Sequence, residues 1–253
     1  MICLSLVLAL RIVSLAPALT EDLFAIGAGP AVVGVDANSN RPAGAARLPR
    51  VGGMREVSAE AVLALHPDVV VGIPYEDRIL ADLTRAGVRT ERLDVSDLRG
   101  DFAAIERLGV LSGHAREARA LHRVIERRLA GLSAQAARSR TASAFVAVGI
   151  SDLRTAGRGT YIDDLLRMAN LRNVAGDLPL LWPQYSQERL VAVHPEILVL
   201  PNPHPALLGA PWERIDAVRA GRIVEIDEDD LLRPGPRVAD VLEMLVAGAA
   251  RWR

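Results

Sequence analysis

Two stretches of the chain carry the same chemistry-bearing residues. SAEAVLALHPDVVV begins at Ser58 and SQERLVAVHPEILV begins at Ser186, an offset of 128 residues. The offset pairs Ser58 with Ser186, Glu60 with Glu188, Ala64 with Ala192, His66 with His194, Pro67 with Pro195 and Val71 with Val199. Each serine is placed to cap a helix, with the glutamate in its first turn. The helix dipole favours a carboxylate there by a few tenths of a kcal/mol to about 1 kcal/mol, which is enough to explain either glutamate alone. Equivalent glutamates on two pseudo-symmetric lobes form a two-point acidic docking face. Such a face suits a symmetric partner with one arginine per half. His66 and His194 precede prolines at helix ends, where an imidazolium complements the dipole and caps carbonyls. Two histidines in separate lobes would not converge on a metal.

Other candidate chemistry lies in loops. Trp182, in LLWPQYS, comes just before the second repeat, and Met54 stands 128 residues earlier. A tryptophan facing a flexible methionine across a cleft suits a large, flat, apolar ligand. Tyr75, in GIPYED, follows a strand end and is a further cleft candidate. RTAGRGTYIDDLL, from Arg154, holds a GxG without the dinucleotide fingerprint. Its glycines read as a tight turn into a helix capped by Thr160, whose N-terminus suits an anion. DEDDLLRPGPR holds a run of acids and then a rigid Pro-Gly-Pro that can aim Leu231, Leu232 or Arg233 into a cleft. No nucleophile–base–orienter set, G-x-S-x-G elbow or Walker loop is present, so no catalytic residue is assigned.

These residues need a scaffold, and the bulk composition bounds it. The chain has 253 residues, 50% of them apolar, and a formal net charge of -1. That length fits one large domain or two lobes, each with its own core. The charge excludes the basic stripe of a nucleic-acid binder. One cysteine, Cys3, excludes an intrachain disulfide and a zinc ribbon. MICLSLVLAL is apolar but too short to span a bilayer, and it lacks the basic region of a signal peptide.

Strand and helix patterns alternate. RIVSLAP reads as a buried strand, TEDLFAIGAG as a helix with Thr20 at its N-cap, and AVVGV as the next strand. DVVVGI, DRILADLTRAG and VRTERLDV continue the alternation, which implies a parallel sheet with helices on both faces. The pattern restarts at SAFVAVGIS and runs through YIDDLLRMA, EILVLP, PWERIDAVRAG and RIVEID to a last helix from about Val238. Between the halves, residues 112–140 put Leu121, Ile125, Leu129 and Leu132 on one stripe, a single amphipathic helix of about 40 Å. The fold class is α/β: two Rossmann-like lobes with central parallel sheets, at 11–111 and 141–253, joined by one long rigid backbone helix at 112–140. A stiff connector predicts little relative motion of the lobes.

Taken in order, RIVSLAPALTEDLFAIGAG, LPRVGGMREVSAEAVLALHPDVVV, TAGRGTYIDDLLRMANLRNVAG and WPQYSQERLVAVHPEILVL resemble the substrate-binding proteins of ABC importers for cobalamin, iron-siderophores and haem. The resemblance covers nearly the whole chain from about Arg11. It implies a ligand in a shallow cleft between two lobes, with Glu60 and Glu188 docking onto arginines of a membrane permease dimer. WPQYS is most similar to the cobalamin-binding branch, which implies that Trp182 touches the corrin; RPGPR is also common there. Asn38 to Asn40 and Met54 stand where that branch carries aromatics. GGMREVSAE resembles the haem branch, with Gly53 where a haem-ligating tyrosine would be. A carboxylate siderophore would use Arg55, Arg154 or Arg233.

The expected protein is a monomeric, periplasmic or envelope-exposed carrier that binds a metal chelate, cobalamin first, and hands it over. It needs no cofactor, no metal-ligating side chains and no nucleic acid. A ferric siderophore or haem is the alternative cargo, and a corrinoid binder inside the cell the alternative location. The rival class is a two-domain enzyme such as a nucleotide-sugar transferase. That enzyme would require phosphate-cradling loops or a catalytic carboxylate, and neither is apparent.

Overall fold

The computed structural model describes residues 10–53, 56–204, 207, 209 and 211–252. The N-terminal nonapeptide with Cys3, and the candidates Met54 and Arg55, lie outside the described residues. The chain divides into two compact units. One runs to Val95 and includes Phe102–His122; the other takes Ser96–Asp101 and everything from Arg123 on.

The first unit opens with β1 (Ile12–Ser14) and α1 (Pro17–Ala25), followed by β2 (Val32–Val35), α2 (Ala59–Ala64), β3 (Val69–Gly72), α3 (Asp77–Arg85) and β4 (Arg89–Arg92). All its strand pairs are parallel and the sheet order is β2-β1-β3-β4. β1 and β3, in the middle, are buried throughout, while β4 at the edge is charged and largely exposed. That is the pattern of a parallel sheet covered on both faces.

Helix α1 starts earlier than the sequence suggests. Pro17 takes the first turn, where its missing N–H costs nothing. Thr20 is therefore inside the helix and is not its cap. Its hydroxyl bonds to the Ala16 carbonyl at 3.1 Å and to the Ser14 and Ser39 hydroxyls at 2.8 and 2.9 Å. α2 begins as expected, with the Ser58 hydroxyl accepting from Ala61 N–H at 3.1 Å.

A helix absent from the sequence reading follows, α4 (Leu98–Ser112), its first turn held by Asp97 accepting from Gly100 N–H at 2.7 Å. Gly113, at φ 79°, turns the chain into α5 (Ala115–Ala136). The amphipathic helix is thus 22 residues rather than the whole of 112–140, about 33 Å long. Gly109 is required where α4 meets α5, because a Cβ there would lie 2.4 Å from that of Ala118.

The second unit continues with β5 (Ala142–Gly149), β6 (Arg154–Thr155), α6 (Tyr161–Met168), β7 (Leu171–Asn173), α7 (Gln187–Val193), β8 (Ile197–Asn202), α8 (Asp216–Arg219), β9 (Ile223–Asp227), α9 (Glu228–Leu231) and α10 (Val238–Ala250). Its parallel strands lie in the order β7-β5-β8-β9, and β6 adds antiparallel to the far end of β5. In chain order within each unit, both sheets run second, first, third, fourth strand. The repeat in the sequence is a repeat of topology.

The joints repeat as well. His66 and His194 both adopt left-handed backbone, φ 45° and 43°. They stop their helices through conformation. Histidine is among the non-glycine residues that tolerate this region best. The carbonyls at the end of α2 are capped by Arg11, whose guanidinium donates to Leu65 O at 2.7 Å and His66 O at 3.0 Å. Two residues past each histidine a carboxylate closes onto the first strand. Asp68 accepts from Arg11 N–H at 2.7 Å, and Glu196 from Ser143 N–H at 2.8 Å.

Candidate ligand-binding and docking site

In an open parallel sheet, ligands bind beyond the carboxyl ends of the strands, where strand order reverses. The loops at the carboxyl ends carry Asn38 and Tyr75 in the first unit and Arg154, Trp182 and Arg233 in the second. Sequence order alone could not say how each side chain is held.

In the first unit a chain of hydroxyls fixes the edge. Ser14, Thr20 and Ser39 bond in series, and Ser39 donates to the Asp36 carboxylate. Asp36 also accepts from Asn38 N–H at 2.9 Å, and Arg50 donates to the Asp36 and Ser39 carbonyls. The loop is tied down from inside and leaves Asn38 exposed. Tyr75 is 61% exposed on the turn after β3. Beside it, Glu76 is buried and accepts from Ile73 N–H at 2.8 Å. Burial, with the Asp36 charge adding to it, pushes the Glu76 carboxyl up to about 7.

In the second unit the Trp182 loop is zipped to β6. Thr155 N–H donates to Pro183 O, Gly157 N–H to Leu181 O, and Tyr185 N–H to Leu153 O, all within 2.8–3.0 Å. Gly157 must be glycine, since a Cβ would lie 2.1 Å from the Leu180 carbonyl. Thr160 caps α6 as expected, accepting from Asp163 N–H at 3.1 Å. Trp182 is half-buried, its ring 6.1 Å from that of Tyr161 and tilted by 59°. Leu180 and Leu181 beside it are 63% and 39% exposed, an apolar tip.

Tyr161 is the residue the sequence reading missed. It is fully buried, donates its hydroxyl to Leu231 O at 2.9 Å, and donates its amide to Ser96 O at 2.6 Å. It thereby ties the Trp182 loop, the end of α9 and the segment before α4 to one ring. Burial and the Asp101 charge push its phenol up. Asp101 is itself fully buried, and burial raises its carboxyl to about 7 against the backbone N–H of Gly235. An aromatic just inside a capped helix was the available signal; its three partners are too distant in sequence to infer.

The arginines are held by neighbours. Arg154 donates to Asp152 through Nε at 3.1 Å and a terminal nitrogen at 2.9 Å. Arg233, whose side chain is 12% exposed, pairs with Asp229, and Arg237 pairs with Asp230. Asp229 and Asp230 of the acid run therefore neutralise the arginines that follow, while Asp227 and Glu228 are exposed.

Glu60 and Glu188 are both exposed, in the first turns of α2 and α7. Among the described residues neither makes an ion pair. Glu188 accepts from the Ser186 hydroxyl at 2.7 Å, which holds its carboxyl below the usual range. Among the described residues no group of three or more His, Cys, Asp or Glu could hold a metal ion, and no helix is long and apolar enough to cross a membrane.

Two parallel 2-1-3-4 sheets, with their candidate residues on carboxyl-end loops, define a binding protein of α/β class. Residues 12–229 match the periplasmic binding protein family, and the chain belongs to it. It is 29% identical over 247 residues to an uncharacterized ABC transporter substrate-binding lipoprotein of Bacillus subtilis (strain 168), covering 93% of this chain and 78% of that one. The structure of the periplasmic vitamin B12 binding protein BtuF of Vibrio cholerae superposes with a TM-score of 0.85 at 25% identity, covering 96% and 98% of the two chains. A periplasmic heme binding protein from Pseudomonas aeruginosa superposes with a TM-score of 0.77 at 30% identity, covering 94% and 91%. The relatives are binding proteins, which fits the expected absence of catalysis and speaks against the transferase reading.

Proposed function

We propose that the chain is the solute-binding component of an ABC importer, working outside the cytoplasmic membrane. Its cargo is a metal chelate, cobalamin first, which it hands to a permease docked through Glu60 and Glu188. The observation that carries the ligand class is the tip Leu180-Leu181-Trp182, apolar, partly exposed and braced from beneath by Tyr161. A rigid aromatic beside two leucines suits a large apolar macrocycle. Tyr75, 61% exposed on the first unit, offers a second ring. The arginine-led reading of a carboxylate siderophore is weaker, because Arg154 and Arg233 are matched by Asp152 and Asp229. Haem is the second reading, favoured by the likeness to heme binding proteins.

Tryptophan-fluorescence titration with cyanocobalamin, haemin and a panel of ferric siderophores, checked by calorimetry, tests the cargo. Saturable sub-micromolar quenching by cobalamin alone is expected. Saturation by haemin or a ferric chelate alone would move the cargo and keep the carrier role. Binding of none of them would overturn the transport reading.

A further inference from the structure

The carboxyl-end loops of the second sheet carry the cargo candidates, and its amino edge carries a separate set of groups. β5, β8 and β9 are adjacent and parallel, so they begin side by side. A hollow of about 240 Å³ opens where they begin. Its walls are Arg140 and Ala142 at the start of β5, Glu196 and Ile197 at the start of β8, Arg222 just before β9, and Trp252 past the end of α10. Ala142 and Ile197 are buried and apolar, and Trp252 is half-buried.

The charges of this wall do not balance. Glu196 is its one carboxylate. Arg140 donates to one oxygen at 2.6 Å, and the Ser143 amide and hydroxyl reach the other at 2.8 and 3.4 Å. The Ser143 amide first, and then Arg140, hold this carboxyl below the usual range, so it stays ionised and answers Arg140. Arg222 is left over. Its Nε donates to Glu196 O at 2.7 Å. Its amide donates to Ala217 O at 2.8 Å and its carbonyl accepts from Leu198 N–H at 3.0 Å. The guanidinium is thus held in one place, yet among the described residues its two terminal nitrogens have no partner. The first unit uses its amino edge differently. There the Arg11 guanidinium turns onto the carbonyls of Leu65 and His66, and Arg89 pairs with Glu91.

We propose that this hollow binds a small aromatic carboxylate, its carboxyl forked on the terminal nitrogens of Arg222 and its ring against Trp252, Ala142 and Ile197. A carboxylate accepts two guanidinium N–H groups side by side. An arginine already fixed through Nε loses little further freedom when it does so. An indole offers a flat apolar body an offset or edge-on ring contact. The hollow is smaller than the ~300–1,000 Å³ of sites that enclose drug-sized ligands, so it takes an acid the size of benzoate and excludes a macrocycle. An inorganic anion meets the guanidinium but leaves the apolar wall wet. A neutral amide meets the wall but brings no charge to the guanidinium. The bound acid bridges groups at the starts of β5, β8 and β9, and therefore stabilises the folded second unit without touching its carboxyl-end loops.

The test is a titration of the full chain with sodium benzoate, read by the indole N–H NMR signals of its three tryptophans, with Trp252→Phe to assign the Trp252 signal. A saturable shift of Trp252 is expected while Trp182 and Trp212 stay unmoved, with a Tm that rises with benzoate concentration. Benzamide and inorganic phosphate should each bind at least roughly tenfold more weakly, the scale of a charge-assisted hydrogen bond or a lost ring contact. Arg222→Met should abolish the benzoate shift. Arg222→Lys, which keeps the charge without the fork, should weaken it by roughly fivefold. Near-UV circular dichroism checks that both variants fold, and the comparison of probes on the unaltered chain decides the matter if they do not. No saturable shift at Trp252, benzamide or phosphate binding as tightly as benzoate, or a benzoate shift that survives in folded Arg222→Met would overturn the proposal. A benzoate shift at Trp182 in place of Trp252 would overturn it too, by putting the acid on the cargo loop.

Discussion

Helices α2 and α7 end alike and begin in different company. Both are capped by a serine hydroxyl, both stop at a histidine in left-handed backbone, and both run on into a buried parallel strand. Around their first turns, α2 carries Ala59 and Ala61 where α7 carries Gln187 and Arg189. The Ser186 hydroxyl reaches Glu188, whereas among the described residues Ser58 makes no such bond to Glu60. Features that build the fold are kept in both copies, because a helix must start and stop wherever the next strand is to enter the sheet. Apart from the two glutamates, features that face outward have diverged, because nothing in the fold constrains them.

The largest effect should come from removing what the copies share on the outside. Glu60→Ala with Glu188→Ala is expected to abolish permease-coupled uptake in proteoliposomes or cells while ligand affinity stays unchanged. Loss of ligand affinity in the double variant would instead place the pair in the binding site.

The next contrast sets Trp182, half-buried in the second unit, against Tyr75, exposed in the first. Trp182→Ala should weaken cyanocobalamin by roughly 1–3 kcal/mol, the scale of a lost aromatic anchor. Tyr75→Ala should cost less, because the Tyr75 side chain has no ring beneath it among the described residues. Calorimetric titration of both variants decides, and a larger loss at Tyr75 would shift the ligand's main contact to the first unit.

The smallest effect concerns one buried carboxyl in each unit, Glu76 and Asp101, both raised by burial to about 7. The folded state holds these protons up to about that pH, while the unfolded chain releases them near the ordinary carboxylate values of about 4. Across that window the folded state binds more protons, so stability falls as pH rises. Tm should drop by a few degrees between about pH 5 and pH 7.5. Glu76→Gln should remove the first unit's share of the slope and Asp101→Asn the second's. A slope unchanged in both variants would show that neither carboxyl stays protonated.

What could be read beforehand follows the same division. The alternation of strands and helices, the serine caps and the α5 stripe rest on spacing within one short segment, and they are where the sequence places them. Thr20 misled because a hydroxyl before an apolar run looks like a cap, whereas Pro17 had already set the helix and freed Thr20 to bond Ser14 and Ser39. Helix α4 had a cap at Asp97 and an apolar spacing through Phe102, Ile105 and Leu108, a signal present but passed over. Tyr161 could not have been found this way, since its partners Ser96, Trp182 and Leu231 meet only in the folded unit.

The carboxylates that close each first strand also bear on how the chain folds. Asp68 reaches Arg11 across 57 residues and Glu196 reaches Ser143 across 53. Loop-closure entropy grows only with the logarithm of length, so the two closures differ by well under ~0.1 kcal/mol. Neither unit has an entropic head start, and both depend on contacts distant in sequence, the condition under which parallel sheets form slowly. The amides of Arg11 and Ser143 are therefore the natural pair of clocks for folding: their protection from hydrogen exchange should rise late, and at nearly the same rate.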